Sequence, residues 1–285
     1  MAAGKRKRPE FFRIIYYAIL IASAIIILVP IVWMLSASFD RINSYELPVP
    51  PRFIPANFSL FNFQLVIKNM RILTYIKNTV LVALLSVTLQ LLIVPIAGFA
   101  FSKGRFPLKA VILLAIMSSM MVPFETRIMP IFMLIRSWKL SNNYLGIVLP
   151  GTMTSAFFIF LLKKAFDDLP DDLMESAYID GASRLRIYLQ IYLPLVGAML
   201  ATMVVLNVLD VWNDLLWPMI IINKINLSTI QVGLAMFASG GADNVSRHAG
   251  MASAASMLSI LPLALIFAFC QRYIVQSIAV SGIKQ

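Results

Sequence analysis

One cysteine and one histidine occur in 285 residues, and only 13% of the side chains carry a formal charge, about half the usual share. With Cys270 alone, no disulfide can close within the chain, which excludes a disulfide-stapled secreted scaffold. So little charge cannot cover the apolar surface of an ordinary soluble enzyme, and a disordered chain needs far more of it. Catalytic signatures are missing too. No Lys is followed by Ser or Thr, so there is no G-x-x-x-x-G-K-[ST] loop to cradle phosphates, and there is no H-E-x-x-H, G-x-S-x-G or C-x-x-C. His248 falls in a polar stretch and reads as a solvated side chain. The chain is expected to hold no catalytic residue, no metal and no cofactor of its own.

What is present is apolar: 60% of the residues. A hydrocarbon core takes about 20 apolar residues per helix. Six stretches fit: 14–36, 76–101, 108–124, 144–162, 195–222 and 252–272. The reading is an all-α membrane protein of six transmembrane helices in a single domain, 1–285. The basic run Lys5-Arg6-Lys7-Arg8 before the first stretch resembles a signal peptide. That apolar run is longer than the usual 7–15-residue core of such a peptide, so it reads as a retained helix.

The net charge is +11, from 24 Lys and Arg against 13 Asp and Glu. The basic residues lie between the apolar stretches, which favours membrane topology over nucleic-acid binding. With the N-terminus inside, segments 1–13, 102–109, 163–194 and 272–285 carry fourteen Lys and Arg. The longer outside segments 37–75, 125–143 and 223–251 carry nine. Both termini are therefore expected in the cytoplasm. Segment 47–57, with four prolines, reads as an extended outer loop.

The segment 163–194, between the fourth and fifth helices, differs from the rest. It holds six of the 13 acids: Asp167, Asp168, Asp171, Asp172, Glu175 and Asp180. Pro170 and the acids after it mark a helix start, Gly181 permits a break and Ser183 can cap a second short helix. Leu185, Tyr188, Leu189 and Tyr192 recur at helical spacing along it, and Pro194 is expected to open the next span. The apolar face of so small an element finds no partner within the loop, which makes it a docking surface. The alternative, a helix lying on headgroups, is disfavoured by the acids, because inner leaflets are anionic.

Glu175-Ser176-Ala177-x-x-Asp180-Gly181-Ala182, then Ile191-x-Leu193-Pro194, resembles the EAA signature of permease subunits in bacterial ABC importers. Nine residues separate Gly181 from Ile191, as in the family pattern, and Ser176 stands where the first alanine is usual. Pro30 to Leu35, Asn78-Thr79, Trp212-Asn213, Gln271-Arg272-Tyr273 and Gly282-Ile283-Lys284 resemble the carbohydrate-uptake, maltose-permease-G-like branch. Ser277 and Gln285 depart from its usual tail. The resemblance implies that the loop docks into a cleft on a separate ATP-binding subunit, with Glu175 pairing a base there and Gly181 setting the bend. It implies a second permease chain, two ATP-binding subunits that hold ATP and magnesium, an extracytoplasmic solute-binding protein, and a place in the bacterial inner membrane.

Asn207, Asp210 and Asp214 fall at i, i+3 and i+7 in the fifth stretch, on one expected helix face. Trp217 lies one turn on and Asn213 beside them. A carboxylate deep in a bilayer faces a cavity or a partner, and acceptors with a flat ring suit a sugar. Asn207, Asp210, Asn213, Asp214 and Trp217 are therefore the candidate substrate path. Gln90 is a weaker candidate, and Glu125 with Arg127 reads as a pair of interface anchors. Two rival functions fit less well. A self-sufficient secondary transporter is expected to show two related halves. A phospholipid alcohol-transferase, suggested by Asp180-Gly181-Ala182-Ser183-Arg184, needs further acids that Ile187 to Ala201 lacks.

Overall fold

The computed structural model describes residues 10–41, 50–153, 155–239 and 249–282, and of residues 10–13, 249, 270 and 272–282 the backbone alone. The Lys5–Arg8 run, residues 47–49, His248 and the terminal Ile283–Gln285 lie outside the described residues. Among the described residues every regular element is helical, and the one β contact is the isolated bridge Asp40–Phe58. Three helices are long and apolar enough to cross a membrane alone, and up to six spans result if each of three bent helix pairs counts as one.

The chain packs as two compact units. The first comprises residues 1–71 and 236–258. Its α1 (Glu10–Phe39) is apolar all round, and none of its most apolar window is buried within the chain, as expected of a helix whose solvent is lipid. The end of α1 is tied down. The Asp40 carboxylate accepts from the amides of Ala56 (3.1 Å) and Asn57 (3.0 Å). Asn62, in α2 (Phe61–Asn69), donates to the carbonyls of Ser38 (3.1 Å) and Asp40 (2.8 Å). These bonds occupy carbonyls that a helix end leaves free. Residues 50–57 form no regular element, in line with the expected outer loop.

The second unit comprises residues 72–235 and 259–285. Its axis is α3 (Ile72–Lys103), about 48 Å long at 1.5 Å per residue, against which α6 (Tyr144–Met153), α7 (Ala156–Asp167) and α11 (Gly197–Asn213) pack. Gly98 sets the closeness of the α3–α7 crossing: a Cβ there would sit 3.0 Å from that of Leu162.

The stretch expected at 108–124 is α4 (Lys109–Ser118) with a 3-10 turn to Met121, followed after a 107° bend by α5 (Phe124–Ser137). Pro123 accounts for the break, because it forces Val122 out of the helical region (ψ 114°). α5 makes helical much of segment 125–143, which alternation of the spans from an inside N-terminus places outside. The fifth stretch is also broken. Tyr188–Tyr192 is a π turn leading into α10 (Leu193–Leu195), Val196 bends the chain by 75°, and α11 ends at Asn213. Pro194 therefore does not open the span, as expected from sequence; it lies in the helical segment before the bend. The span ends before 222 because Asp214 is extended (ψ 114°), and α12 (Leu216–Ile221) is a separate helix. The remaining helices are α8 (Asp172–Ile179), α9 (Arg184–Ile187), α13 (Ile230–Ala238) and α14 (Ala249–Gly282).

Candidate functional site

The segment after α7 folds as helix, bend, helix. α8 spans Asp172–Ile179, and Gly181 follows with φ +75°, a conformation that glycine adopts freely and L-residues enter at a cost. The amide of Ala182 donates to the carbonyl of Ala177 (2.9 Å) and that of Gly181 to Tyr178 (3.0 Å). This pair of bonds is the Schellman motif, with Ala177 at C3, Gly181 at C′ and Ala182 at C″. Gly181, placed at C′ of this motif, is thus the helix-stop signal in the sequence. Open space surrounds Gly181 within 4 Å, so its backbone angle, not crowding, demands glycine. Ser183 then caps α9 (Arg184–Ile187), accepting from the amide of Arg186 (3.4 Å). Pro194 cannot donate to the carbonyl of Gln190 four residues back, and the widened π turn accommodates that loss.

The two short helices have an inner and an outer face. Ala177, Ile187, Tyr188 and Tyr192 are buried against Val94 of α3 and against Phe158, Leu162 and Phe166 of α7. Ala182, Ile191 and Leu193 pack at the edge of this core. The sequence expectation that the apolar face has no partner is therefore corrected: most of it is covered by the ends of α3 and α7, which sequence periodicity cannot see. The heptad-like set also splits, with Tyr188 and Tyr192 inside and Leu185 and Leu189 outside. What remains uncovered is a patch of Tyr178, Ile179 (87% exposed), Leu185 and Leu189. Glu175, Ser176 and Asp180 are exposed on α8 and its end. The Ser176 hydroxyl donates to the carbonyl of Asp172 (2.8 Å).

A cleft of about 920 Å³ opens beside α8, lined by Phe99, Lys103, Arg105, Asp171, Glu175 and Arg184 among others. Its charges are mixed, with Lys103 paired to Asp171 (2.5 Å) and Arg184 donating to the Tyr178 hydroxyl (3.0 Å).

The polar face expected on α11 does not hold together. Asn207 is buried, with its Oδ1 lacking a partner, while Asp210 and Asn213 are exposed. Asn213 donates to the carbonyl of Leu209 (2.8 Å). Asp214 lies past the helix end and accepts from the amide of Trp217 (3.3 Å), capping α12 instead of extending the face. Trp217 is a core residue, 2% exposed, whose Nε1 donates to the carbonyl of Gly146 (3.0 Å). It packs with Val82, Ile135 and Ile221, and the expectation of a sugar-facing ring there is corrected. Gln90 is likewise buried, with Oε1 unpartnered. Glu125 is exposed on the first turn of α5, and Arg127 has a buried, unpartnered Nε.

Two ties were missed as candidates. Asn78 donates to the carbonyls of Asn226 and Ser228 (both 2.9 Å) and accepts from the Tyr144 hydroxyl (2.8 Å), while Thr79 Oγ1 accepts from the amide of Ile230 (2.8 Å). An amide in an apolar run signals such a tie, because it is costly to bury unpaired. At the other end of α3, Lys103 joins Leu169 and Asp171. From sequence it counted only toward the charge of the inside loops.

A family model described as "Binding-protein-dependent transport system inner membrane component" matches residues 91–280. The chain is 30% identical over 233 residues to the arabinooligosaccharides transport system permease protein AraQ of Halalkalibacterium halodurans, covering 81% of this chain and 82% of that one. It is 29% identical to the lactose transport system permease protein LacG of Rhizobium radiobacter across 97% of both chains. It is 36% identical to the sn-glycerol-3-phosphate transport system permease protein UgpE of Salmonella typhi across 64% of each. Among solved structures, a chain of a bacterial ABC transporter involved in the import of the acidic polysaccharide alginate superposes with a TM-score of 0.83, over 96% of this chain and 99% of that one, at 22% identity.

Proposed function

The chain belongs to the family of binding-protein-dependent transport system inner membrane components, and on that premise we propose that it is one of two permease subunits of an ABC importer for a neutral sugar or oligosaccharide. The observation that carries the mechanism is the bent pair of short helices after α7. Its inner face is buried in the chain's own core, so it is held rigidly, while Tyr178, Ile179, Leu185 and Leu189 stand uncovered beside Glu175 and Asp180. A rigid, bent, apolar and acidic projection suits docking into a cleft on an ATP-binding subunit. In this reading Glu175, Ser176 and Asp180 line the contact, Gly181 fixes its bend, and Ala177, Ala182, Ile191, Leu193 and Pro194 build the support beneath it.

In this reading the chain crosses six times, with both termini and segment 163–194 in the cytoplasm, and of the bent pair Arg184–Leu195 and Gly197–Asn213 the second helix is the part that lies in the membrane. ATP and magnesium belong to two ATP-binding subunits, and a solute-binding protein delivers the sugar from outside. Opening and closing of the ATPase pair then rocks the helices between two access states. The chain itself performs no chemistry. Asp210 and Asn213, exposed on α11, are the part of the expected substrate path that stays available to a solute. α11 carries no cation, which favours hydroxyl-rich neutral solutes over a phosphate ester on this side of the path.

The test pairs docking with uptake. Ile179→Asp with Leu185→Asp is expected to leave the chain in the membrane and to abolish co-purification of its cognate ATP-binding subunit. Retention of that subunit at wild-type ratio sinks the docking role. Cells carrying the whole importer are then offered labelled arabino-oligosaccharides, lactose and sn-glycerol-3-phosphate. Uptake of the phosphate ester alone refutes the sugar assignment.

A further inference from the structure

A lysine at the end of a membrane helix usually extends its amine into water. Lys103 does the reverse. It ends α3, yet its side chain is only 6% exposed. Its Nζ donates to the Leu169 carbonyl (2.8 Å) and to Asp171 Oδ1 (2.5 Å), and lies 5.7 Å from the centroid of the Tyr192 ring. The Tyr192 hydroxyl donates to the Pro170 carbonyl (3.1 Å). The three residues before α8 are therefore each gripped, two by α3 and one by the π turn.

Asp171 is also the N-cap of α8, where a carboxylate ordinarily accepts from an amide of the first turn. It makes no such bond, and its oxygen goes to Lys103 instead. A local helix-building contact has been given up for a long-range one, a pattern expected where function sets the choice. Phe99, one turn back on α3, reinforces the junction, its ring centroid 5.6, 5.2 and 5.3 Å from those of Phe166, Tyr188 and Tyr192. At the opposite end of the same helix, Asn78 and Thr79 hold the backbone of Asn226, Ser228 and Ile230. One helix is thus fastened to the docking loop at one end and to the 226–230 segment at the other.

We propose that Lys103 is a positioning residue that makes α3 a strut: displacement of α8 passes through Leu169 and Asp171 into α3, and along it to the 226–230 segment, instead of being absorbed by bending of the loop. This rests on the docking of an ATP-binding subunit at α8 and α9. Without the Lys103 bonds the loop still carries its docking face, but its motion no longer moves the helix.

The test reads the far end of the strut and needs no transported solute. In the whole complex, in a Cys270→Ser background, Ile225→Cys is labelled with a maleimide before and after nucleotide is trapped with ATP and vanadate. In the parent, trapping is expected to change the labelling rate about tenfold, the size of an ordinary allosteric coupling. Lys103→Met, which keeps the apolar stem and loses both donors, is expected to reduce that change to about twofold or less while the ATP-binding subunits remain bound. Lys103→Arg is expected to restore it. An undiminished change in Lys103→Met, or no change in the parent, overturns the strut. So does loss of the ATP-binding subunits from Lys103→Met, which makes Lys103 part of docking rather than transmission. If Lys103→Met fails to assemble, Asp171→Asn decides, since the bond to Leu169 survives: a response lowered about threefold supports the strut, and a full one overturns it. Retention of the ATP-binding subunits by Ile179→Asp with Leu185→Asp refutes the docking reading instead, whatever Lys103 does.

Discussion

The segment 163–194 and the polar stretch 207–217 both stand out in sequence for their polar groups, yet their sequences forecast their structures with unequal success. In the first, the expected bend and cap are fixed by local backbone bonding: Gly181 takes the left-handed angle and Ser183 caps, and only Pro194, expected to open the next span, falls elsewhere. In the second, the expected face assumed an unbroken helix, and Asp214 ends it by turning extended and capping α12. Signals that act through the chain's own neighbouring amides and carbonyls survive folding. Signals that depend on phase along a helix fail at the first break.

The largest effect should come from the inner face of the loop. Tyr192 is fully buried among Phe99, Phe166 and Tyr188, and Tyr192→Ala should cost about 3–5 kcal/mol, as for other large aromatic truncations. In detergent the variant should lose thermal stability, whereas Leu185→Ala on the outer face should not. Equal melting shifts for the two would erase the distinction between faces.

Gly181 comes next. The angle alone is at stake, so a β-branched residue should lose uptake and binding-protein-stimulated ATP hydrolysis, while Gly181→Asn, which tolerates the left-handed region, should keep most of both. The strain is about 1–2 kcal/mol, enough for roughly a tenfold loss. Similar behaviour of Gly181→Val and Gly181→Asn would mean that the bend is set by its surroundings instead.

In the polar stretch the two kinds of residue should separate. Trp217→Phe removes the indole donor to Gly146 and leaves a buried carbonyl unpaired, at a cost of about 1–3 kcal/mol in stability, without altering the preference among solutes. Asp210→Asn should assemble normally and lower uptake. Full uptake by an assembled Asp210→Asn complex would remove α11 from the solute path.

All-helical architecture and a membrane location were legible because apolar content and run length are one-dimensional properties. The bent element after α7 was legible because Gly181 and Ser183 act locally. Burial of Trp217 and of the loop's inner face was not, because it depends on α6 in one case and on the ends of α3 and α7 in the other, all distant in sequence. Lys103 escaped notice for the same reason: its partners lie 66 and 68 residues away.

The smallest effect sharpens that last contrast. Lys164 and Lys103 both face a carboxylate in the same region. Lys164 reaches Asp168 at 3.6 Å along one helix, with the two side chains 65% and 48% exposed. Water and salt screen such a pair, and holding two long side chains together offsets much of what attraction remains, so exposed pairs contribute about 0–1 kcal/mol. Lys103 is itself 6% exposed, so water reaches its amine far less than it reaches Lys164, although its partner Asp171 is 77% exposed. Lys164→Met should therefore leave melting temperature, ATPase retention and the nucleotide response of Ile225→Cys within error of the parent, at low salt and at high. A Lys164→Met complex that loses the nucleotide response as Lys103→Met does would show that charge in this region, not the buried grip on residues 169–171, carries the coupling.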